Sequence, residues 1–88
     1  MFVGKVVGSI VSTRKNEKLI GSKFMIVESV MDTSKERLVA VDNVGAGIGE
    51  IVLVATGSAA RLCGKVSDAP IDAAIVGIVD HGVGLSGM

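Results

Sequence analysis

The apolar residues of this chain fall in short runs, separated by polar or glycine-rich segments. These runs are rich in valine and isoleucine, whose β-branched side chains favour strands. The pattern predicts five strands: Val3–Thr13, Lys23–Met31, Arg37–Asp42, Ile51–Thr56 and Ala73–Asp80. The compact turn Asp32–Glu36 makes a hairpin of the second and third strands.

One segment departs from the strand pattern, between the fourth and the fifth strand. Ser58 is a favourable N-cap residue and good helix formers follow it, so one or two helical turns are expected there. Gly64–Ala69 is predicted to be a loop, with Pro70 at its end. The polar segment Arg14–Ser22 is predicted to be the loop between the first two strands.

Short strands in this order favour a barrel, because closing a sheet removes the exposed edges that promote aggregation. We therefore predict a mainly β fold, a small five-stranded OB-like β-barrel with one short helix before the last strand. A five-stranded sandwich is the alternative. The 88 residues are predicted to form a single domain, residues 1–88, with 82–88 as a flexible glycine-rich tail.

Composition adds an expectation about assembly. Hydrophobic residues make up 49% of the chain and the mean hydropathy is +0.62. A domain of this size buries only roughly 60% of the surface that its unfolded chain exposes. The excess apolar surface therefore predicts burial against other subunits. A membrane span is not expected, because no apolar run approaches the roughly 18 residues that a spanning helix requires.

Charge and aromatic content argue against a nucleic-acid partner. Nine basic and nine acidic side chains give a formal net charge of zero, and Phe2 and Phe24 are the only aromatic residues. Nucleic-acid binders typically combine a basic excess with aromatic side chains on which bases stack. The chain begins without the basic-then-apolar pattern of a signal peptide and has a single cysteine, so a reducing cytoplasm is expected.

A glycine-dense loop, Gly45–Glu50, invites a phosphate-binding interpretation, in which backbone N–H groups at the start of a helix hold an anion. The segment behind this loop is apolar and β-branched, which predicts a strand and removes that support. The glycines are instead expected where the backbone turns tightly or approaches another backbone closely.

Candidate catalytic groups are few. Asp42 and Glu50 flank the glycine loop and are candidates for an acid–base pair. The favoured interpretation is that one of them caps backbone N–H groups in the turn while the other meets a basic partner. His81 lies beside Asp80 at a strand end, where adjacent side chains point to opposite faces. The single Cys63 has no second cysteine at metal-ligand spacing. No active site, metal site or cofactor is predicted.

Basic residues suggest contacts rather than chemistry. Arg61, in the helical segment, is a candidate for an anion site or, in the preferred interpretation, for a subunit contact. A basic cluster in the first loop is expected to be solvated and balanced by Glu17 and Glu28. The cluster consists of Arg14, Lys15, Lys18 and Lys23.

Four segments, in order along nearly the whole chain, carry a family resemblance. They are Gly4–Thr13 (GKVVGSIVST), Ala40–Glu50 (AVDNVGAGIGE), Gly57–Arg61 (GSAAR) and Pro70–Asp80 (PIDAAIVGIVD). With these segments the chain resembles the EutN/CcmL family, the pentameric vertex proteins of bacterial microcompartment shells.

The resemblance implies a non-enzymatic shell protein with an OB-like barrel. It implies a homopentamer that caps the vertices of a polyhedral shell around encapsulated enzymes, with hexameric facet proteins as neighbours. No nucleic acid or membrane partner is implied. We hypothesise that the subunit interface includes Val44, Gly45, Ala46, Gly47, Ile48, Gly49, Glu50 and Arg61. The five-fold axis is expected near Gly57, Ser58 and Ala59.

Two other functions stay open at this point. An OB-type binding module for single-stranded nucleic acid or oligosaccharide is the first alternative, and it rests on the fold alone. The second is a small ligand-binding or enzymatic oligomer that uses Asp42, Glu50 or His81.

Overall fold

The computed structural model describes residues 1–12, 15–31, 33–62 and 70–80. Within these ranges the chain forms five strands, a 3₁₀ turn at Glu17–Leu19 and a short helix, α1, at Ser58–Leu62. The strands are β1 (Phe2–Ile10), β2 (Lys23–Ser29), β3 (Arg37–Asp42), β4 (Ile51–Thr56) and β5 (Ala73–Ile78). The predicted fold class, mainly β with one short helix before the last strand, is confirmed.

The five strands close into a barrel in the order β1-β2-β3-β5-β4, with β4 returning to β1. All neighbouring strands are antiparallel except β3 and β5, which are parallel. The closed order excludes the sandwich alternative and leaves no free sheet edge. The OB-like barrel is therefore the observed architecture.

Inward-facing side chains fill the barrel. The largest fully buried side chains are Val6, Val27, Val52, Val54 and Ile75. These residues belong to one cluster, against which Phe2, Leu38 and Ile78 also pack. β-Branched residues dominate the interior because they pack well on pleated strands.

Two irregularities bend the barrel wall. Val6 pairs with Val27 while Gly8 pairs with Ile26, so Val7 has no partner across the β1–β2 ladder. A similar register shift separates Leu53 and Val54 in the β4–β5 ladder. Such bulges increase the local twist that a small barrel needs to close.

Three predicted strands are too long at their C-terminal ends. β1 ends at Ile10, β2 at Ser29 and β5 at Ile78. The apolar residues just beyond the first two ends, Val11 and Met31, are 89% and 59% exposed. Their apolar character suggested strand, but no neighbouring strand pairs with them. Thr13, the predicted end of the first strand, and Asp32, the predicted start of the turn, lie outside the described residues.

A second, smaller cluster lies on the outside of the barrel. Val41, Ala60, Ile71 and Ala74 are buried in it, and Leu19, Phe24 and Val76 pack against it. Ala60 comes from α1, which contacts β4 and β5, so the helix packs on the outside of the wall through this cluster. This cluster fixes α1 and the segment before β5 relative to the barrel.

The helix begins one residue earlier than predicted. Ser58 is its first residue rather than its cap, and Gly57 precedes it with a φ of +65°. The Gly57 carbonyl accepts from the Ala60 N–H at 3.2 Å, and the Gly57 N–H donates to the Asp72 carbonyl at 2.8 Å. Glycine suits this position because its backbone is left-handed, a conformation that other residues rarely adopt.

Glu28 does not balance the basic first loop. Its carboxylate accepts from the Arg37 Nε–H at 2.9 Å, across the β2–β3 ladder in which the two residues are directly paired. An exposed cross-strand pair of this kind contributes about 0–1 kcal/mol. The expectation that Glu28 neutralises the loop lysines is wrong.

Candidate subunit interface

The glycine-rich loop between β3 and β4, residues 43–50, lies against one end of the barrel. Ala46, at its centre, is only 5% exposed and belongs to the barrel core cluster. Val44 and Ile48, on either side of Ala46, are exposed. The loop therefore covers its own subunit through Ala46 and presents two aliphatic side chains outward.

Asp42 holds the first half of this loop. Its Oδ1 accepts from the N–H groups of Val44 and Gly45, both at 3.0 Å. The predicted turn-capping carboxylate is confirmed. The other carboxylate oxygen, Oδ2, is buried and has no hydrogen-bond partner in the described part of the chain.

Glu50 holds the second half. Its Oε1 accepts from the Gly47 N–H at 2.6 Å, and its own N–H donates to the Gly47 carbonyl at 3.1 Å. The expectation that this carboxylate meets a basic partner is wrong, because it binds a backbone amide of the same loop. Both carboxylates therefore accept hydrogen bonds from backbone N–H groups of the loop and are not arranged as an acid–base pair.

The loop is also attached to β1. The Gly49 N–H donates to the Val6 carbonyl at 2.8 Å, and the Val6 N–H donates to the Glu50 carbonyl at 3.0 Å. These bonds extend the β1–β4 pairing into the end of the loop. Ile48, next to Gly49, is consequently presented from a fixed backbone.

Two of the glycines are required by backbone conformation. Gly45 and Gly49 have φ values of +79° and +94°, and apart from the adjoining residues no heavy atom of the described chain lies within 4 Å of a Cβ built at either position. They allow a left-handed backbone conformation, which residues other than glycine rarely adopt. The residue that follows the loop, Ile51, begins β4. With no helix start behind the loop, the phosphate-cradle interpretation is excluded.

Removing the Glu50 carboxylate is expected to loosen the loop. Glu50→Ala leaves the half-buried Gly47 N–H without its acceptor, which we expect to cost about 1–2 kcal/mol in the free energy of unfolding. Glu50→Gln keeps an acceptor at the same place and is the matched control. Thermal unfolding at one fixed protein concentration measures both. Equal stability of the alanine variant and the wild type would contradict this role of Glu50.

Arg61 and the residues before it lie at α1. The half-buried Arg61 donates from Nη1 to the Ile71 carbonyl at 3.3 Å, so it connects α1 to the segment before β5 within its own subunit. Gly57, Ser58 and Ala59 are exposed at the start of the helix. Small side chains make this the least bulky exposed corner around α1.

The outer surface carries many apolar side chains. Those of Val44 and Ile48 are 41% and 66% exposed. The other large hydrophobic residues exposed in the described ranges are Met1, Ile10, Val11, Ile20, Met31, Val39 and Leu62. For one small subunit this much exposed apolar surface indicates contact with another protein surface.

An apolar groove lies on the outside of β2 and β3, beside the segment that leads into β5. Its volume is about 200 Å³, below the roughly 300–1,000 Å³ of typical ligand pockets. Its apolar lining residues are Leu19, Phe24, Val39, Val41, Ile71 and Ala73, and Pro70 and Asp72 complete it. This groove fits an aliphatic side chain better than a drug-sized molecule. Sequence reasoning missed it, since its lining comes from four separate segments.

Groups for metal or redox chemistry are not assembled in the ranges described. Residues 1–12, 15–31, 33–62 and 70–80 contain no cluster of histidine, cysteine and carboxylate side chains able to hold a metal ion. Neither helix in these ranges has the length and apolar composition that a membrane crossing requires. Cys63, His81, Arg14 and the predicted tail, 82–88, lie outside the described residues.

Both aromatic residues are packed against the barrel wall. Phe2 packs on the barrel core and Phe24 on the outer cluster. OB-type barrels that bind single strands use exposed aromatic side chains as stacking platforms. The chain has no other phenylalanine, tyrosine or tryptophan, so the described residues present no such platform.

Comparison with known proteins gives a consistent result. A family model described as "Ethanolamine utilisation protein EutN/carboxysome" matches residues 1–80. The bacterial microcompartment shell vertex protein GrpN of Rhodospirillum rubrum is 49% identical over 85 residues, which cover 91% of this chain and 93% of GrpN. The shell vertex protein PduN of Salmonella typhimurium is 44% identical over 88 residues, covering 91% of this chain and 96% of PduN.

The fold comparison agrees with the sequence comparison. The solved structure of the R. rubrum protein, described as the GrpN pentameric microcompartment shell protein, superposes with a TM-score of 0.81. The match covers 92% of this chain and 95% of that one, at 49% identity. The likeness therefore extends over the barrel, the loop and α1 together.

Proposed function

This chain belongs to the EutN/CcmL family, and from that premise we propose that it is a structural shell protein whose five copies form a vertex of a bacterial microcompartment. Its relatives GrpN and PduN are shell vertex proteins, and GrpN is described as pentameric. The geometry that best supports the proposal is the loop 43–50, which is rigidly held, uncharged on its outer side and aliphatic. Such a loop suits assembly rather than catalysis.

The proposed pentamer uses the predicted interface residues in different ways. Val44 and Ile48 contribute exposed side chains, whereas Ala46 is buried and only shapes the loop. Gly45, Gly47, Gly49 and Glu50 set the backbone conformation, and Arg61 orients α1. The exposed Gly57, Ser58 and Ala59 are proposed to lie near the five-fold axis, where converging subunits leave little room.

We further propose that the protein has no catalytic activity and that hexameric facet proteins surround the pentamer in a shell within the cytoplasm. The commitment of Asp42 and Glu50 to backbone amides supports the first part. Family membership supports the second. The alternative of a nucleic-acid or oligosaccharide module is not favoured, because both phenylalanines are packed and the net charge is zero.

Shell closure tests this function. Hexagonal tiles form flat sheets, and a sheet closes into a polyhedron only where five-fold units interrupt it. Co-expression with a sheet-forming hexameric shell protein is expected to give closed particles in electron micrographs. The same hexamers without this chain should give sheets or open-ended shells. Unchanged assemblies in the presence of this chain would contradict the vertex role.

A further inference from the structure

We propose that, in the pentamer, Ile48 of each subunit inserts into the apolar groove beside Val39 of the next subunit. The occupant of the groove is thus a second copy of this chain. This inference rests on the proposed pentamer, and it assigns the two different surfaces that meet at each contact.

Ring symmetry requires two unlike surfaces. In a closed ring of more than two subunits each contact is heterologous, so one patch of a subunit meets a different patch of its neighbour. A side chain that protrudes must therefore face a recess elsewhere on the same molecule. Ile48 and the groove beside Val39 form such a combination, a fixed protruding aliphatic side chain and a mainly apolar recess.

The recess is suited to an aliphatic side chain. Val39 points outward, because Leu38 and Ala40 on either side of it in β3 belong to the barrel interior, and it is left 48% exposed. Around it the groove is lined by Phe24, Val41 and other apolar residues, and Asp72 alone among its described lining residues is ionisable. Cores of protein interfaces are depleted in charge in the same way.

The protrusion is uncharged and is held in place. Ile48 is 66% exposed, and residues 43–49 contain no charged side chain. The hydrogen bonds of Glu50 to Gly47 and of Gly49 to Val6 fix the backbone around it. A fixed loop loses little conformational freedom when it docks, which favours affinity.

The two surfaces lie on different sides of the barrel. The loop is bonded to β1 next to β4, whereas the groove is formed by β2, β3 and the segment before β5. In the closed strand order, β2 separates β1 from β3 on one side, and β5 separates β4 from β3 on the other. Ile48 therefore lies away from the groove of its own subunit and is available to the next one.

Cysteine cross-linking tests the pairing directly. In a Cys63→Ser background, the double variant Val39→Cys/Ile48→Cys treated with a short bismaleimide reagent is expected to give a ladder that ends at the pentamer on a denaturing gel. Each single-cysteine variant should stay monomeric on the gel, and the two single variants co-assembled should give dimers at most. The matched control pair, Met31→Cys with Ile48→Cys, should give no ladder, because Met31 does not line the groove.

Single aspartate substitutions, made with Cys63 retained, test the same pairing through their effect on assembly. Val39→Asp and Ile48→Asp are each expected to weaken every contact by about 30-fold or more, the effect of losing an interface hot spot. Met31→Asp, at a similarly exposed apolar residue, should leave assembly unchanged. Circular dichroism establishes that each variant is folded.

The outcomes separate this inference from the proposed function. Suppose that the wild-type protein is a pentamer, that Val39→Cys/Ile48→Cys cross-links no more than the control pair, and that both aspartate variants still assemble. That result overturns the pairing and leaves the pentamer standing. A wild-type protein that is monomeric overturns the proposed function itself.

Discussion

Replacing Gly4 with alanine is expected to destabilise the barrel by about 1–3 kcal/mol or more, a typical cost of overpacking a closed core. A Cβ at this position would overlap Cγ1 of Val27 and lie 3.0 Å from the Glu28 carbonyl oxygen and 3.2 Å from Cε2 of Phe2. Val27 is fully buried, so its side chain has no space to withdraw. Thermal unfolding should show a loss of roughly 4–8 °C in Tm for each kcal/mol.

A matched glycine controls this experiment. Gly77→Ala, in β5, places a Cβ 3.8 Å from the Leu53 Cβ, which is ordinary contact, so we expect stability to be unchanged or slightly raised. The double variant Gly4→Ala/Val27→Ala should lose less than the sum of the two single losses, because it removes the clashing methyl group. Additive losses, or equal stability of the Gly4 and Gly77 variants, would show that Gly4 is not a site of close packing.

Asp42→Ala is expected to release the start of the loop and to lower the free energy of unfolding by about 1–3 kcal/mol, because two backbone N–H groups lose the carboxylate that accepts their hydrogen bonds. Those groups belong to Val44 and Gly45. A loosened loop also presents Ile48 less firmly, so the concentration required for assembly should rise with the loss of stability. Unfolding and native mass, measured on the same samples, report both effects.

Asp42→Asn is the matched control for that variant. Asparagine keeps an acceptor for the two N–H groups and puts an uncharged amide nitrogen in the place of the buried oxygen Oδ2, which has no partner among the described residues. We therefore expect it to be close to the wild type in both stability and assembly. An alanine variant as stable as the asparagine variant would contradict the capping role.

The strand content of the fold was predictable from sequence, but the ends of the strands were not. β3 and β4 were predicted with their observed bounds, because a polar or glycine-rich segment flanks each β-branched run. β1 and β2 were predicted too long because Val11 and Met31 are apolar. Hydrophobicity alone does not distinguish a residue paired in a strand from an apolar residue left exposed beyond the end of that strand.

The candidate site was predictable in part. The position of Asp42 before a glycine-rich turn is a local signal for a cap, and it identified the correct role. Glu50 was predicted to meet a basic partner, but its carboxylate accepts from the Gly47 N–H. That hydrogen bond depends on how the whole loop folds, which no local sequence signal shows. The groove was missed, although the unbroken apolar run Leu38–Val41 was a signal, since a strand covered on both faces is typically apolar throughout.

This small barrel has apolar residues on both sides of its wall. Inward residues such as Val52 and Ile75 fill the core, while outward ones such as Val39 stay exposed. In a monomer the outward-facing apolar residues stay in water and add no stability. A subunit of a ring buries them against its neighbour, which stabilises the assembly by removing apolar surface from water.

The mass of the native assembly tests the central claim most directly. Native mass spectrometry of the purified wild-type chain, checked by analytical ultracentrifugation at micromolar concentration, is expected to give one species at five times 8.9 kDa. A stable monomer, or a dimer or tetramer in place of the pentamer, would contradict the account.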